Sequence, residues 1–222
     1  MLPRKIKAFY YFLMEPLMYI NSRIYFAFFS PRRSQKNVYV QLGPGQRNYI
    51  DGWINVDANF LTAKIDLWAD LRHKLPFRRN SVDAFYSHHM IEHLPDLISH
   101  FQSVYYCLKN HGVYRLGGPN GDSAIKKFLD KDYEWFSDFP DKRKSIGGRF
   151  ENFIFCRGEH LTILTQSMLE EILKDIGFVN IKVKLPSKET SFPEIFSKCL
   201  LKERENDFVN PKTLILEAEK IC

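Results

Sequence analysis

Cysteine is scarce in this 222-residue chain, and its four copies are scattered. Cys107, Cys156, Cys199 and Cys222 form no CxxC pair and show no zinc-ligand spacing. That excludes a disulfide-stapled scaffold and a zinc finger, points to reducing surroundings, and leaves no metal site expected. Cys107 sits in an apolar helical pattern and reads as a small core hydrophobe. An unbroken apolar run is lacking too. Residues 8–29 (AFYYFLMEPLMYINSRIYFAFF) come nearest, but Glu15, Pro16, Asn21 and Arg23 interrupt them. A bilayer span is therefore not expected. No small-residue cleavage site follows, which argues against a signal peptide. Excess charge is missing from most of the chain. The net charge of +6 resides in residues 1–36, with seven basic groups and one acid, Glu15. The remaining residues balance at 25 basic and 25 acidic. A neutral body without a basic aromatic stripe argues against a nucleic-acid partner, and none is expected.

What is present suits a folded domain. Hydrophobic residues make up 45% of the chain, enough for a real core. The division expected is a basic aromatic appendage over 1–36 and a domain over 37–222. In the appendage, Phe9, Leu13, Leu17, Ile20, Ile24 and Phe28 recur at helical spacing. Such a stripe either lies flat on a membrane, with basic groups beside it, or packs on the body or on a second copy of the chain. Ser30-Pro31 reads as its terminator.

The body alternates strand and helix patterns. Strands are expected at Val38–Leu42, Trp53–Val56, Ile65–Leu67, Val82–Ser87, Val113–Leu116, Phe178–Val183 and Thr213–Ala218. Helical spacing covers 94–109, with His111-Gly112 as its stop, and 167–176, with Gly177 as its stop. The alternation implies an α/β sheet covered by helices. The last two strands, joined by a long loop, are expected to pair antiparallel at one edge. Residues 131–160 match regular structure poorly and emerge after the fifth strand. They read as an insertion, either substrate cover or a shield for the sheet face.

Five spots carry chemistry. Gly43-Pro44-Gly45 follows the first strand, where glycine lets the backbone turn sharply and approach a ligand. Pro44 has no N–H, so donors come from Gly45 onward. Asp57 ends the second strand and suits two ribose hydroxyls. Only seven residues separate Gly45 from Trp53, too few for a crossover helix and a pyrophosphate site. A nucleoside ligand without pyrophosphate fits better than a dinucleotide. Asp70 could take an adenine amino group with Leu71 against the ring, or cap a turn. Asp83 reads as structural. His88, His89 and His93 cluster just past the fourth strand with Glu92, where an imidazole could touch substrate or pack against the next helix; His and Glu are also zinc ligands, but no recognised zinc spacing is present. His160, after the insertion, is either a fourth candidate at the crevice or a buried hydrogen-bonded histidine. Arg115 and Asn120 flank the fifth strand, and Asn120 either caps a helix or meets substrate.

Four blocks in order, VYVQLGPGQRNYIDGWINVDANF, DLRHKLPFRRNSVDAFYSHHMIEHL, LKNHGVYRLGGPN and LEEILKDIGFVNIKV, resemble a class I S-adenosylmethionine-dependent methyltransferase. The resemblance is closest to the small bacterial type found among cell-surface polysaccharide genes, and spans about residues 38–219. It implies a three-layer Rossmann-like fold with a mostly parallel seven-stranded sheet, order 3-2-1-4-5-7-6, the last strand antiparallel. It implies S-adenosyl-L-methionine as cofactor. By the same likeness Gly43 and Gly45 lie beside the methionine portion, Asp57 takes the ribose, Asp70 and Leu71 take the adenine side, and His88 to His93 form the junction of donor and acceptor, with His88 also touching the cofactor. Pro44 departs from the family's small residue or cysteine.

Read this way, the chain transfers a methyl group by direct displacement to a sugar or other small hydroxyl acceptor. His88, His89, His93 and His160 are the candidate bases. The expected setting is cytoplasmic, with peripheral contact at the inner membrane face, or contact between copies, through residues 1–36. Two rivals stay open: a non-catalytic donor-binding or scaffold domain, and a NAD-dependent oxidoreductase.

Overall fold

The computed structural model describes residues 4–221; residues 1–3 and Cys222 lie outside the described residues, as do the side chains of Arg4, Lys5, Lys7 and Ala8. The strands are β1 (Tyr39–Leu42), β2 (Ile54–Asp57), β3 (Leu67–Trp68), β4 (Val82–His88), β5 (Leu108–Pro119), β6 (Phe178–Lys184) and β7 (Thr213–Lys220). They form one seven-stranded sheet in the order β3-β2-β1-β4-β5-β7-β6. β1 to β5 pair in parallel, and β7 runs antiparallel to both β5 and β6. This is the strand order and direction of the methyltransferase Rossmann-like fold. The helices are α1 (Arg4–Ile24), α2 (Leu97–Cys107), α3 (Gly121–Leu129), α4 (Ile146–Phe155), α5 (Gln166–Ile176) and α6 (Pro193–Glu203).

Period-two alternation sorts the strand residues onto two faces. Val40, Leu42, Phe85, Tyr114, Leu116, Leu214 and Leu216 face one core with residues of α2 and α5. Ala84, Tyr86 and Val113 face the other, with Ile50, Trp53 and the α6 residues Phe196 and Cys199. No helix joins β1 to β2, as the short connection requires, and α6 packs on this face instead. Arg115, fully buried here, binds Glu203 through Nε (2.7 Å) and Nη2 (2.8 Å), and Glu217 through Nη1 (2.6 Å). The carboxylates also accept the backbone N–H groups of Ser187 and Ser191.

The structure corrects several sequence expectations. α6 occupies what read as a long loop between the last two strands. Pro193 at its first turn, Glu194 beside it and Lys202 in the last turn are good helix signals within a short, weakly patterned segment. α2 ends at Cys107, not at His111-Gly112, because Leu108 turns extended and pairs with Val82. Residues 109–112 form an excursion inside β5 before Val113 pairs with Ala84. Gly112 serves that tight excursion: a Cβ there would stand 2.8 Å from the Lys109 carbonyl oxygen. The 131–160 region holds α4 and its own small core. Trp135, Phe136 and Ile154 pack with Phe150 and Phe153. Asp83 accepts the Val38 N–H and the Lys109 ammonium, and Asn120 caps α3 through the Ser123 N–H.

His100 on α2 is buried, and burial pulls its pKa down to about 4. Its Nδ1 lies 3.2 Å from the Leu71 carbonyl oxygen. The folded state holds the imidazole neutral, whereas the unfolded chain protonates near pH 6.5. Unfolding therefore takes up a proton between these values. The contribution is full above about pH 6.5 and is lost as pH falls toward 4. Denaturant titrations at several pH values are expected to show stability falling by up to ~1.4 kcal/mol per pH unit from this group. His100→Gln should flatten that part of the slope.

Candidate active site

The glycine turn leaves β1 with both glycines at positive φ, +71° at Gly43 and +56° at Gly45. The Gly43 N–H binds the Val56 carbonyl at 2.8 Å, tying the turn to β2. A Cβ on Gly43 would collide with Met90 Cγ at 2.5 Å, so the segment after β4 lies directly on the turn. A Cβ on Gly45 would meet nothing within 4 Å. Bare backbone thus borders open space. Beside it, Asp57 Oδ2 accepts the Gly45 N–H at 2.9 Å and Oδ1 accepts the Asn59 N–H at 2.9 Å. Burial raises the Asp57 carboxyl above its ordinary value, and the N–H groups of Asn59, Gly45 and Ala58 pull it back down.

Asp70 is buried and engaged by Arg72, whose Nη2 stands 2.5 Å from Oδ2 and whose N–H donates to Oδ1 at 2.9 Å. Of the two expectations for Asp70, an adenine contact or a turn cap, the cap is present, made by the Arg72 backbone N–H. In the structure any further donor would share it with this guanidinium. Leu71 is buried in the main core. Helix α1 reaches the same edge. Tyr10 Oη donates to the Ala58 carbonyl at 2.6 Å, and Asn21 Nδ2 to that of Trp68 at 2.7 Å. Arg72 lies over the Tyr11 ring, and Glu15 binds Arg72 and His73. Burial first, then the charge of Asp70, pushes Tyr11 up to about 12. Sequence spacing had tied none of these α1 residues to the glycine turn; the signal available was the aromatic density of 9–12 beside a single acid.

His88 ends β4, buried, stacked parallel to Tyr86 at 6.2 Å and edge-on to His89 at 4.5 Å. Among the described residues neither of its ring nitrogens has a hydrogen-bond partner. Burial, then the charges of His89, Arg115 and Arg204, holds it well below the usual imidazole range. It is a poor base at neutral pH. His89, at φ +52°, sets Nε2 3.2 Å from Thr213 Oγ1 and Nδ1 3.3 Å from Glu92 Oε1. Glu92 is 1% exposed, and among the described residues neither carboxylate oxygen accepts a well-aligned hydrogen bond. The Leu161 N–H binds the Glu92 carbonyl at 2.7 Å, bringing the end of the insertion to this segment. His93 and His160 consequently meet, ring centroids 5.0 Å apart. The four histidines named from sequence therefore form two pairs joined by Glu92.

Comparison with known proteins follows this geometry. Residues 54–116, β2 through the middle of β5, match a family profile described as a methyltransferase domain. The matched stretch covers less than half of the chain, the central part of the sheet. A search of curated proteins found no match. Among solved structures, a S-adenosylmethionine-dependent methyltransferase of Thermotoga maritima is similar at 17% identity and TM-score 0.53, over 96% of this chain and 95% of that one. One of Archaeoglobus fulgidus is similar at 16% identity and TM-score 0.54, over 95% and 100%. Phosphoethanolamine N-methyltransferase 2 of Haemonchus contortus, solved with S-adenosyl-L-methionine, is similar at 15% identity and TM-score 0.54, over 96% and 60%. These likenesses are likenesses of fold. Among the described residues no helix is long and apolar enough to cross a membrane.

Proposed function

We propose that this S-adenosylmethionine-dependent methyltransferase methylates a hydroxyl of a sugar or other small acceptor. The observation that carries the reading is the bare Gly43–Gly45 backbone, open at Gly45, with the Asp57 carboxylate beside it. Gly43 and Gly45 would pass the methionine tail, Asp57 would hold the ribose, and Asp70 with Leu71 would border the adenine, Asp70 shared with Arg72. The bound sulfonium supplies an activated methyl and a leaving group that needs no acid. The chain's own work is alignment, exclusion of water and removal of the acceptor's proton. Of the histidines, His89 is the best suited base, because buried Glu92 stands at its Nδ1, whereas His88 is held neutral by burial. His93 and His160 are the remoter candidates.

The acceptor class draws support from α1. Phe9, Phe12, Leu13, Leu17, Phe28 and Phe29 are exposed, on the segment that also holds the basic excess. Such a surface suits a bilayer carrying a glycan intermediate, or a second copy of the chain. The appendage at 1–36 and the domain at 37–222 are proposed on this basis as separate working parts.

Thermal shift with S-adenosylhomocysteine and NAD side by side tests the reading. Stabilisation by the first alone is expected, about 3 kcal/mol at a hundred times Kd. A shift with NAD alone would favour an oxidoreductase. Binding without turnover across a panel of hydroxyl acceptors would favour a scaffold.

A further inference from the structure

We propose that Glu92, His93 and His160 form a binding site for one divalent transition-metal ion. One donor atom from each lies within 4.8 Å of the others. The tautomers are set by the backbone. His93 Nδ1 stands 2.8 Å from the Glu159 carbonyl oxygen, and His160 Nδ1 stands 2.9 Å from that of Ile154. A carbonyl only accepts, so each Nδ1 carries the proton and donates it. In the neutral ring each Nε2 then presents a lone pair. His93 Nε2 lies 4.0 Å from Glu92 Oε1. Three acceptors converge, and the carboxylate among them is buried with no well-aligned hydrogen bond among the described residues, His89 Nδ1 standing 3.3 Å from Oε1. A carboxylate withdrawn from water with so little donor support is costly, and a cation relieves that cost. Backbone carbonyls fixing the far nitrogen of each imidazole are the outer support that metal-bound histidines ordinarily have.

The donor set, two imidazoles and one carboxylate, suits zinc, cobalt or iron over calcium or magnesium. Three protein ligands leave coordination positions open, and the half-exposed His93 gives them access from solvent. The second group of this kind, Glu15, Asp70 and His73, differs. Arg72 lies between its two carboxylates at 2.5 and 3.0 Å and already supplies the positive charge. If the acceptor is a hydroxyl, which rests on the preceding reading, an ion at Glu92 would ease loss of its proton by binding the oxygen.

Titration of chelator-treated protein with Co²⁺, followed by visible absorption and by calorimetry, tests the site without donor or acceptor. One ion per chain is expected, displaced by Zn²⁺. His93→Ala is the safest variant because that side chain is half-exposed; it should weaken binding tenfold or more, and His93→Ala with His160→Ala should abolish it. Glu92→Gln should weaken it while keeping the side chain's size. His73→Ala should leave affinity and stoichiometry unchanged. Absence of Co²⁺ binding by the folded wild-type protein would overturn the proposal, as would binding that survives the double histidine variant. Donor binding is measured separately, so failure of the metal site and failure of the methyltransferase reading remain distinguishable.

Discussion

Asp57→Ala is expected to weaken S-adenosylhomocysteine binding about a hundredfold or more. Hydrogen bonds to a charged group contribute roughly 1.5–3 kcal/mol each, and a ribose offers this carboxylate two hydroxyls. The substitution also frees the Gly45 and Asn59 N–H groups that the carboxylate holds at 2.9 Å, so the turn loosens as the ligand contact goes. Asp57→Asn keeps one acceptor oxygen but sets its amide against one of those N–H groups, and should fall between the two. Calorimetry gives the affinities, and the melting temperature of each variant without ligand separates a loose turn from a lost contact. Because burial raises the Asp57 carboxyl, the charged form and the affinity that needs it are present above that raised value. They decline on acidification sooner than for an ordinary aspartate. Unchanged affinity in Asp57→Ala would remove the residue from the ribose.

Arg115→Leu should destabilise the protein by about 3–5 kcal/mol, because it strands two buried carboxylates, Glu203 and Glu217, that the guanidinium now neutralises. For a chain of this length that is a fall in melting temperature on the order of 10 °C. Replacing all three by apolar residues should restore only part of the loss. The carboxylates also accept the Ser187 and Ser191 N–H groups, which would then be left without partners. A single variant melting within about 2 °C of the parent would show that water or a rearranged loop compensates the charges.

The sheet was legible in the sequence because its strands are short apolar runs that stop at informative residues. Gly43, Asp57 and Asp83 mark strand ends by chemistry that the backbone needs there, and the short interval from Gly45 to Trp53 by itself ruled out a crossover helix. The same local logic failed where tertiary pairing overrode it. Gly112 looked like a helix stop, but Leu108 gains more by pairing with Val82 than by continuing the helix. The 131–160 stretch lacked a clean period because its aromatics bury against one another rather than against the sheet. In the site, residues adjacent in sequence were found together. The meeting of Glu92 and His93 with His160 was not, because one backbone hydrogen bond from Leu161 closes a loop of nearly seventy residues. Helix α1 posed the same difficulty: its apolar spacing was plain, and its contacts with Ala58, Trp68 and Arg72 were not.

The position of α6 bears on how the chain is made. Trp53, Tyr86 and Val113 emerge early during synthesis, yet the helix that shields them is complete only at Glu203. At about 5–20 residues per second the ribosome needs several seconds to add the intervening ninety, and through that interval one side of the central strands stays bare. Nascent chains stalled before Pro193 should therefore engage holding chaperones through this side of the sheet, and release them once the helix has cleared the exit tunnel.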